Sequence, residues 1–456
     1  MPTLKTSISG IRGIIGDGLD ISTIVDYTSA FASLFPKKAK ILVARDTRIT
    51  GESILNAVVA TLMASGINVI DIGITPTPTA LYMVEKLKIH GGIMISASHN
   101  PIEWNALKLI GKGGHFLDEK AVNELMKLYD KKAKRFVKAL ETGTYQKIDN
   151  AIEEHIKRIL RFINVEKIKK ANFKVACDYV NGTGLFATPP LLKALGVKEV
   201  SINKEHTGKF AHIAEPSQAS MKSLSELVKK NKVSIGFTQD PDADRLALVL
   251  DDGTIISEEY TLALCAKYLW LSGKGNAAVN LSTSRMIDDL AKEKGYSVDR
   301  TKIGEINVSS HIVKNKLYFG GEGNGGIIVP AVTPGRDSLL GIALILELMA
   351  STGKTIKELV NEIPKYEIVK EKLEVSKIDE NNFLKQVKEK YPKSKITTID
   401  GIKIDLENSW LHVRSSNTEP IVRIIAEAKT KKEAKELISS AIDMIKGTNK
   451  SNKKSK

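Results

Sequence analysis

Short apolar runs alternate with amphipathic stretches along most of the chain. Ile41-Leu42-Val43-Ala44 reads as a strand, residues 52–65 are apolar at helical spacing, and Gly66 ends that helix. Residues 69–72 read as the next strand and 79–87 as the next helix. Strand–helix alternation predicts right-handed crossovers and a mixed, mainly parallel sheet. The pattern restarts at Lys174-Val175-Ala176-Cys177-Asp178 and again at Ala277-Ala278-Val279-Asn280-Leu281. Three similar α/β units are therefore expected, without a repeat at the level of individual residues. The last segment differs. Strand-like runs cluster at 395–404, 410–414 and 421–426, and one long helix follows. Thr430 and Glu433 have the spacing of a capping box for it, and Gly447 is placed to be its C′ residue. This is a smaller α+β unit. The expected domains are 1–150, 151–252, 253–366 and 367–447, with 448–456 a disordered basic tail.

A chain of 456 residues that is 42% hydrophobic is long and apolar enough for several domains. No apolar run reaches the roughly 18 residues that a membrane span needs. Met1-Pro2-Thr3-Leu4-Lys5 lacks a secretory pattern. Cys177 and Cys265 are far apart and flanked by apolar residues, which predicts buried thiols in a reducing cytoplasm. The net charge of +15 raises nucleic acid as a partner. The lysines are spread along helices and gathered in the tail, without an aromatic-interleaved stripe, so no nucleic acid partner is expected. The positive field suits dianionic small molecules instead.

Four clusters carry the chemistry. Ser98-His99-Asn100-Pro101 follows the apolar run Gly92-Ile93-Met94-Ile95, so a hydroxyl is presented where a buried strand breaks into a turn. Taken alone, such a tetrapeptide is more often an ordinary turn. Asp240-Pro241-Asp242-Ala243-Asp244-Arg245 lies between two strand-like runs. Three carboxylates spaced by two are costly to pack without a cation, and hard oxygens suit Mg²⁺. The loop lacks the Gly and the position-twelve Glu of a calcium-binding EF-hand. A solvated acidic turn is the bland alternative. Gly320-Gly321-Glu322-Gly323-Asn324-Gly325-Gly326 contains a formal GxGxxG, but Ile327-Ile328-Val329-Pro330 after it reads as a strand and not the helix a dinucleotide site requires. Its glycines would let the backbone approach a ligand, with Glu322 and Asn324 turned to paired sugar hydroxyls. Arg414-Ser415-Ser416-Asn417-Thr418-Glu419-Pro420, with Arg423 beyond it, offers a guanidinium, hydroxyls and an amide of the kind that cradles phosphate.

Together, in this order and at domain-sized intervals, the four clusters resemble the α-D-phosphohexomutase family, which includes phosphoglucomutase/phosphomannomutase and phosphoglucosamine mutase. Gly10-Ile11-Arg12-Gly13, Arg45-Asp46-Thr47-Arg48 and Asn105-Ala106-Leu107-Lys108 agree with it. The resemblance covers nearly the whole chain. It implies three α/β domains and a smaller α+β domain around one central cleft, and a phosphate carried on Ser98. That phosphate would bridge to Mg²⁺ held by Asp240, Asp242 and Asp244, with Ser98 itself a metal ligand. The phosphoryl group would pass between the 1- and 6-positions of a hexose phosphate through a hexose 1,6-bisphosphate. Arg12 and Arg245 would stabilise its charge. Lys108 would move the hydroxyl's proton, its pKa lowered by nearby positive charge, with His99 as an alternative or a supporting hydrogen bond. Arg414, Ser416, Asn417, Thr418 and Arg423 would hold the phosphate that is not reacting.

Two departures stand out. Where some relatives end the sugar loop in Ser-Gly-His, this chain has Asn324 and Gly326. Where relatives vary a loop thought to read the sugar's 2-position, this chain has Thr301-Lys302-Ile303-Gly304-Glu305, and Glu305 could meet an equatorial hydroxyl, an axial one or an ammonium. Glucose, mannose and glucosamine phosphates all stay open as substrates, as do a monomer and a homodimer. A sugar-phosphate phosphatase, or a protein that binds sugar phosphates without turnover, is the rival class. The terminal unit is expected to move about a hinge near Lys365-Tyr366-Glu367.

Overall fold

The structure is a computed structural model. It describes residues 3–7, 10–132, 134–375, 379–415 and 421–454, the side chains of Ser7 and of 447–454 excepted. The first sheet has eight strands. Its centre, Lys40–Arg45, is parallel to Asn68–Ile74 on one side and to Gly91–Ile95 on the other. Trp104–Ile110 and then Gly10–Ile15 extend it antiparallel. Gly91–Ile95 is buried along its whole length, as a run without alternation predicts for a strand covered on both faces.

The second and third sheets repeat this centre. The second runs Lys198–Ile202, Lys174–Asp178, Ile235–Gln239, Leu246–Val249; the third runs Val298–Thr301, Ala277–Asn280, Phe319–Glu322, Gly326–Ile328. In each, two parallel pairings are followed by one antiparallel pairing. The serine, acidic and glycine-rich loops are thus the same connection three times over. Each leaves the carboxyl end of a parallel strand and returns antiparallel, the place where α/β sheets bind ligands.

The units are not equally separate. A single apolar core runs from Ile156 to Ile363 and joins the second and third sheets. At its middle lies the helix Ser338–Thr352, buried from Ser338 to Met349. An all-round apolar helix of this kind belongs inside a protein and not on its surface. The terminal unit has a core of its own, beneath a five-stranded antiparallel sheet. There the run at 395–404 resolves into two paired strands, Lys395–Thr397 and Ile402–Asp405. Its last helix opens on the expected capping box: Glu433 accepts from Thr430 N–H at 3.1 Å and Thr430 Oγ1 accepts from Glu433 N–H at 3.2 Å.

That helix does not stop at Gly447 but runs Lys431–Lys454 through the segment expected to be a disordered tail. An interior glycine costs about 1 kcal/mol, which an established helix absorbs when no proline follows. Both cysteines are buried free thiols. Among the described residues no helix is long and apolar enough to cross a membrane.

Candidate active site

Ser98 leaves its strand in the left-handed region, at φ 50°. A non-glycine residue holds that conformation only where its surroundings enforce it. Arg48 enforces it. Its guanidinium donates to the carbonyls of Ser98 and Asn100 at 2.7 Å, Pro101 at 2.6 Å and Trp104 at 2.9 Å, and Nε to Asp46 Oδ2 at 3.1 Å. Every donor is placed, and the Phe210 ring lies 4.7 Å from the guanidinium. Burial pushes the Asp46 carboxyl up, and Arg48 opposes that shift. The clamp aims Ser98 Oγ at the acidic loop, where it donates to Asp240 Oδ2 at 2.7 Å.

Asp240, Asp242 and Asp244 are fully buried, and each offers an oxygen within 4.8 Å of the others. Ala243, at φ 53°, folds the loop so that Asp240 Oδ1 accepts the N–H groups of Asp244 and Arg245, both at 3.1 Å. Burial and the two neighbouring carboxylates push Asp240 well above its ordinary value. Burial pushes Asp242 the same way, but Lys108 outweighs it and holds that group low. Oδ1 of Asp242 and of Asp244 find no hydrogen-bond partner among the described residues. Three converging carboxylates with two orphaned oxygens fit a hard divalent cation.

Lys108 stands on Trp104–Ile110, opposite Met94. Its Nζ is 2.5 Å from Asp242 Oδ2 and 3.7 Å from Asp244 Oδ2. Burial would lower its pKa, but the two carboxylates outweigh burial and the net shift is upward. The expected fall assumed neighbouring arginine and Mg²⁺ charge; among the described side chains the charges nearest Lys108 are the carboxylates of Asp242 and Asp244. His99 Nδ1 lies 3.4 Å from Ser98 Oγ. Burial, then Arg245 and Arg12, press His99 down to about 3, so its ring is neutral. Arg12 donates to Asn100 Oδ1 at 3.2 Å, and Arg245 Nε is 3.8 Å from Asp244 Oδ1.

The glycine-rich loop is a hairpin between Phe319–Glu322 and Gly326–Ile328. Its glycines admit protein rather than ligand, contrary to expectation. A Cβ on Gly323 would fall 2.0 Å from Glu259 Oε1, and one on Gly325 would fall 2.2 Å from the Leu246 carbonyl. Glu322 is also already engaged: Oε1 accepts from Asn280 Nδ2 at 2.8 Å and Gly304 N–H at 3.2 Å, and Oε2 from Arg336 at 2.8 Å. Arg336, unremarked in the sequence, joins the loops. It also donates to Asp244 Oδ2 at 2.7 Å and lies 3.2 Å from Glu305. Burial lifts the Glu305 carboxyl to about 7 against the pull of Arg336. Asn324 Oδ1 is buried without a hydrogen-bond partner among the described residues.

Side chains from all four units line one cleft of about 760 Å³. The first unit contributes Arg12, Ser98, His99 and Lys108, and the second Arg245. The third contributes Glu305, Glu322, Asn324 and Arg336, and the terminal unit Arg414 and Arg423. Arg414 and Arg423 are cross-strand neighbours on the antiparallel pair Trp410–Ser415 and Ile421–Ala428. Ser416, Asn417 and Thr418 lie outside the described residues.

The chain matches all four domains described as phosphoglucomutase/phosphomannomutase alpha/beta/alpha domains I, II and III and C-terminal domain, over residues 4–136, 153–253, 257–366 and 368–443. The chain belongs to the α-D-phosphohexomutase family. A phosphoglucomutase/phosphomannomutase of Thermococcus kodakarensis is 36% identical over 96% of this chain and 97% of its own length. A phosphoglucosamine/phosphogalactosamine mutase of Sulfurisphaera tokodaii is 33% identical over 96% and 98%. The crystal structure of a phosphoglucomutase/phosphomannomutase family protein from Burkholderia thailandensis shares the fold, with a TM-score of 0.84 at 24% identity over 98% of each chain. The chain is a phosphohexomutase.

Behind the glycine-rich loop of this phosphohexomutase, Glu259 is buried and accepts from Ser284 N–H at 3.0 Å. Burial raises it from 4.5 to about 7. The native state then holds a proton that the unfolded chain has released, so stability falls as pH rises from about 4.5 to about 7. A gap of about 2.5 pH units, at about 1.36 kcal/mol each, comes to about 3 kcal/mol. The expected result is that Glu259→Gln flattens this part of the stability–pH curve in denaturant titrations. An unchanged slope in the variant would assign the dependence elsewhere.

Proposed function

We propose that Ser98 carries the phosphoryl group that this enzyme exchanges between the 1- and 6-positions of a glucose or mannose phosphate. One observation supports the reading above others: Ser98 lines a cleft shared by all four units and donates from Oγ to Asp240 of the acidic triplet at 2.7 Å. In transfer, the phosphorus–Oγ bond breaks as the sugar hydroxyl's oxygen bonds phosphorus. That hydroxyl gives up its proton, and Oγ takes one up. The bisphosphate then turns over, and its other phosphoryl group returns to Ser98 by the reverse step. Little covalent work falls to the protein, so position and charge dominate.

Asp240, Asp242 and Asp244 would hold Mg²⁺, whose chemistry here is neutralisation of charge on the transferring group. Arg12, on the strand Gly10–Ile15, and Arg245, next to Asp244, face the same cleft. Lys108 and His99 are the groups placed to move the proton. Arg414 and Arg423 form the cationic end of the cleft, suited to the phosphate that is not reacting. Glu305, with Arg336 across from it, stands where a sugar's 2-position would be read. A carboxyl group at Glu305, placed to meet a 2-ammonium, favours glucosamine phosphate as the second reading, on the same side as the Sulfurisphaera relative.

Glucose, mannose and glucosamine phosphates, assayed side by side with Mg²⁺ and a trace of hexose bisphosphate, test the reading. Isomerisation without release of inorganic phosphate is expected. Net phosphate release would favour the phosphatase. Chelation should abolish turnover and added Mg²⁺ restore it. Full activity after exhaustive chelation would remove the metal from the mechanism.

A further inference from the structure

Hydrogen bonds link the terminal unit to the body, and one of them enters the site. Asp400 stands in the turn before Ile402–Asp405. Its Oδ2 accepts the Ile303 N–H at 2.9 Å and lies 3.5 Å from Arg414 Nη1. The turn is fixed against Arg414. Gly401 is left-handed at φ 70°, and a Cβ there would fall 2.5 Å from the Val413 carbonyl and 2.6 Å from Arg414 Cβ. His412 ties the same turn to the body. Its Nε2 is 2.6 Å from the Asp400 carbonyl and its Nδ1 is 2.9 Å from Ser282 Oγ. A carbonyl can only accept, so Nε2 carries the hydrogen and Nδ1 accepts the serine hydroxyl.

Across the interface, Ile303 and Gly304 lead into the helix Glu305–Lys314. The Ile303 N–H is held by Asp400, and the next one, Gly304 N–H, by Glu322 at 3.2 Å. Two successive amides are therefore fixed by carboxylates from different units, and Glu305 comes next. We propose that Asp400 is a positioning residue that couples phosphate capture by Arg414 to the placement of Glu305 against the sugar. The proposal rests on the roles given to Arg414 and Glu305 above.

The coupling follows from one oxygen having two suitors. Asp400 Oδ2 attracts the Arg414 guanidinium and accepts the Ile303 amide. A phosphate dianion in the cleft draws Arg414 toward itself, because a dianion is the stronger partner for a guanidinium. Relieved of that competitor, Oδ2 holds Ile303 more firmly, and the 301–305 loop is set. The phosphate end of the substrate thereby prepares the part of the site that reads its 2-position.

The test uses the full chain. Asp400→Ala is expected to lower kcat/KM about 10-fold or more, in the range typical of coupled sites. It should also move the preference between hexose phosphates that differ at C2 toward unity, and speed amide exchange across 301–307. Asp400→Asn keeps an oxygen for Ile303 and loses the charge facing Arg414. It should restore the exchange protection and the preference, with a changed KM remaining. The cycle Asp400→Ala with Glu305→Gln should be non-additive in preference. Unchanged exchange and preference in Asp400→Ala would overturn the proposal. If that variant does not fold, loss of preference in Asp400→Asn overturns it equally. Exchange needs no turnover, so a wild type inert toward every hexose phosphate would sink the functional reading while the Asp400 contact was still judged.

Discussion

Replacing Ser98 with alanine is expected to lower mutase turnover by about 10⁴-fold or more, the scale seen when a covalent nucleophile is removed. The fold should persist, with a cost of about 1–3 kcal/mol for the donor that buried Asp240 loses, because alanine bears the left-handed backbone at φ 50° no worse than serine, and the Arg48 bonds reach the carbonyl, not the hydroxyl. Two measurements check this. A coupled assay gives the rate, and intact mass gives the phosphorylation state. Wild type purified with hexose bisphosphate should carry one phosphoryl group that Ser98→Ala lacks. Turnover near the wild-type rate in the variant would refute the phosphoserine. Lost turnover with the added mass retained would move the phosphate to another residue.

Arg48 is expected to matter nearly as much without touching the substrate. Arg48→Met leaves the buried Asp46 unpaired, and breaking one side of a buried ion pair costs about 3–5 kcal/mol. It also strips four loop carbonyls of their donors, so Ser98 loses what holds it in its strained conformation. Arg48→Lys should rescue little. An ammonium donates from one point, whereas the guanidinium spans four carbonyls and a carboxylate. The expected outcome is lower stability of the first unit in denaturant-dependent amide exchange, together with a fall in kcat, in both variants. A lysine variant with native stability and turnover would show that the clamp is dispensable.

The contrast between these two residues shows what the chain discloses. Ser98 and the three aspartates are legible because their signal is local: a strand break presenting a hydroxyl, and carboxylates too close together to be left alone. The strand–helix alternation likewise predicts the three sheets. Arg48 falls within a run that matches the family, but nothing nearby in sequence tells its task, since its carbonyl partners follow 50 to 56 residues later. Arg336 is more distant still, meeting Asp244 at a separation of 92. The glycines of the 320–326 loop mislead for the same reason. A missing side chain shows that something comes close, and only the folded chain shows that it is Glu259 and the Leu246 carbonyl. The carboxylate against Lys108 is equally silent in the sequence, since Asp242 lies 134 residues away.

The helix Ser338–Thr352 has a consequence for anyone recombining pieces of such enzymes. Four sheets suggest four interchangeable cassettes, yet the seam at 253–256 runs through the continuous oil of one interior. A chimera cut there must match dozens of apolar shapes at once. A cut at 366/367 meets hydrogen bonds such as Arg285 to the Leu406 and Glu407 carbonyls, and leaves the departing piece with an interior of its own. Evolution, shuffling the same material, would find variants of the terminal unit cheap to trial and separate exchange of the second and third units nearly frozen.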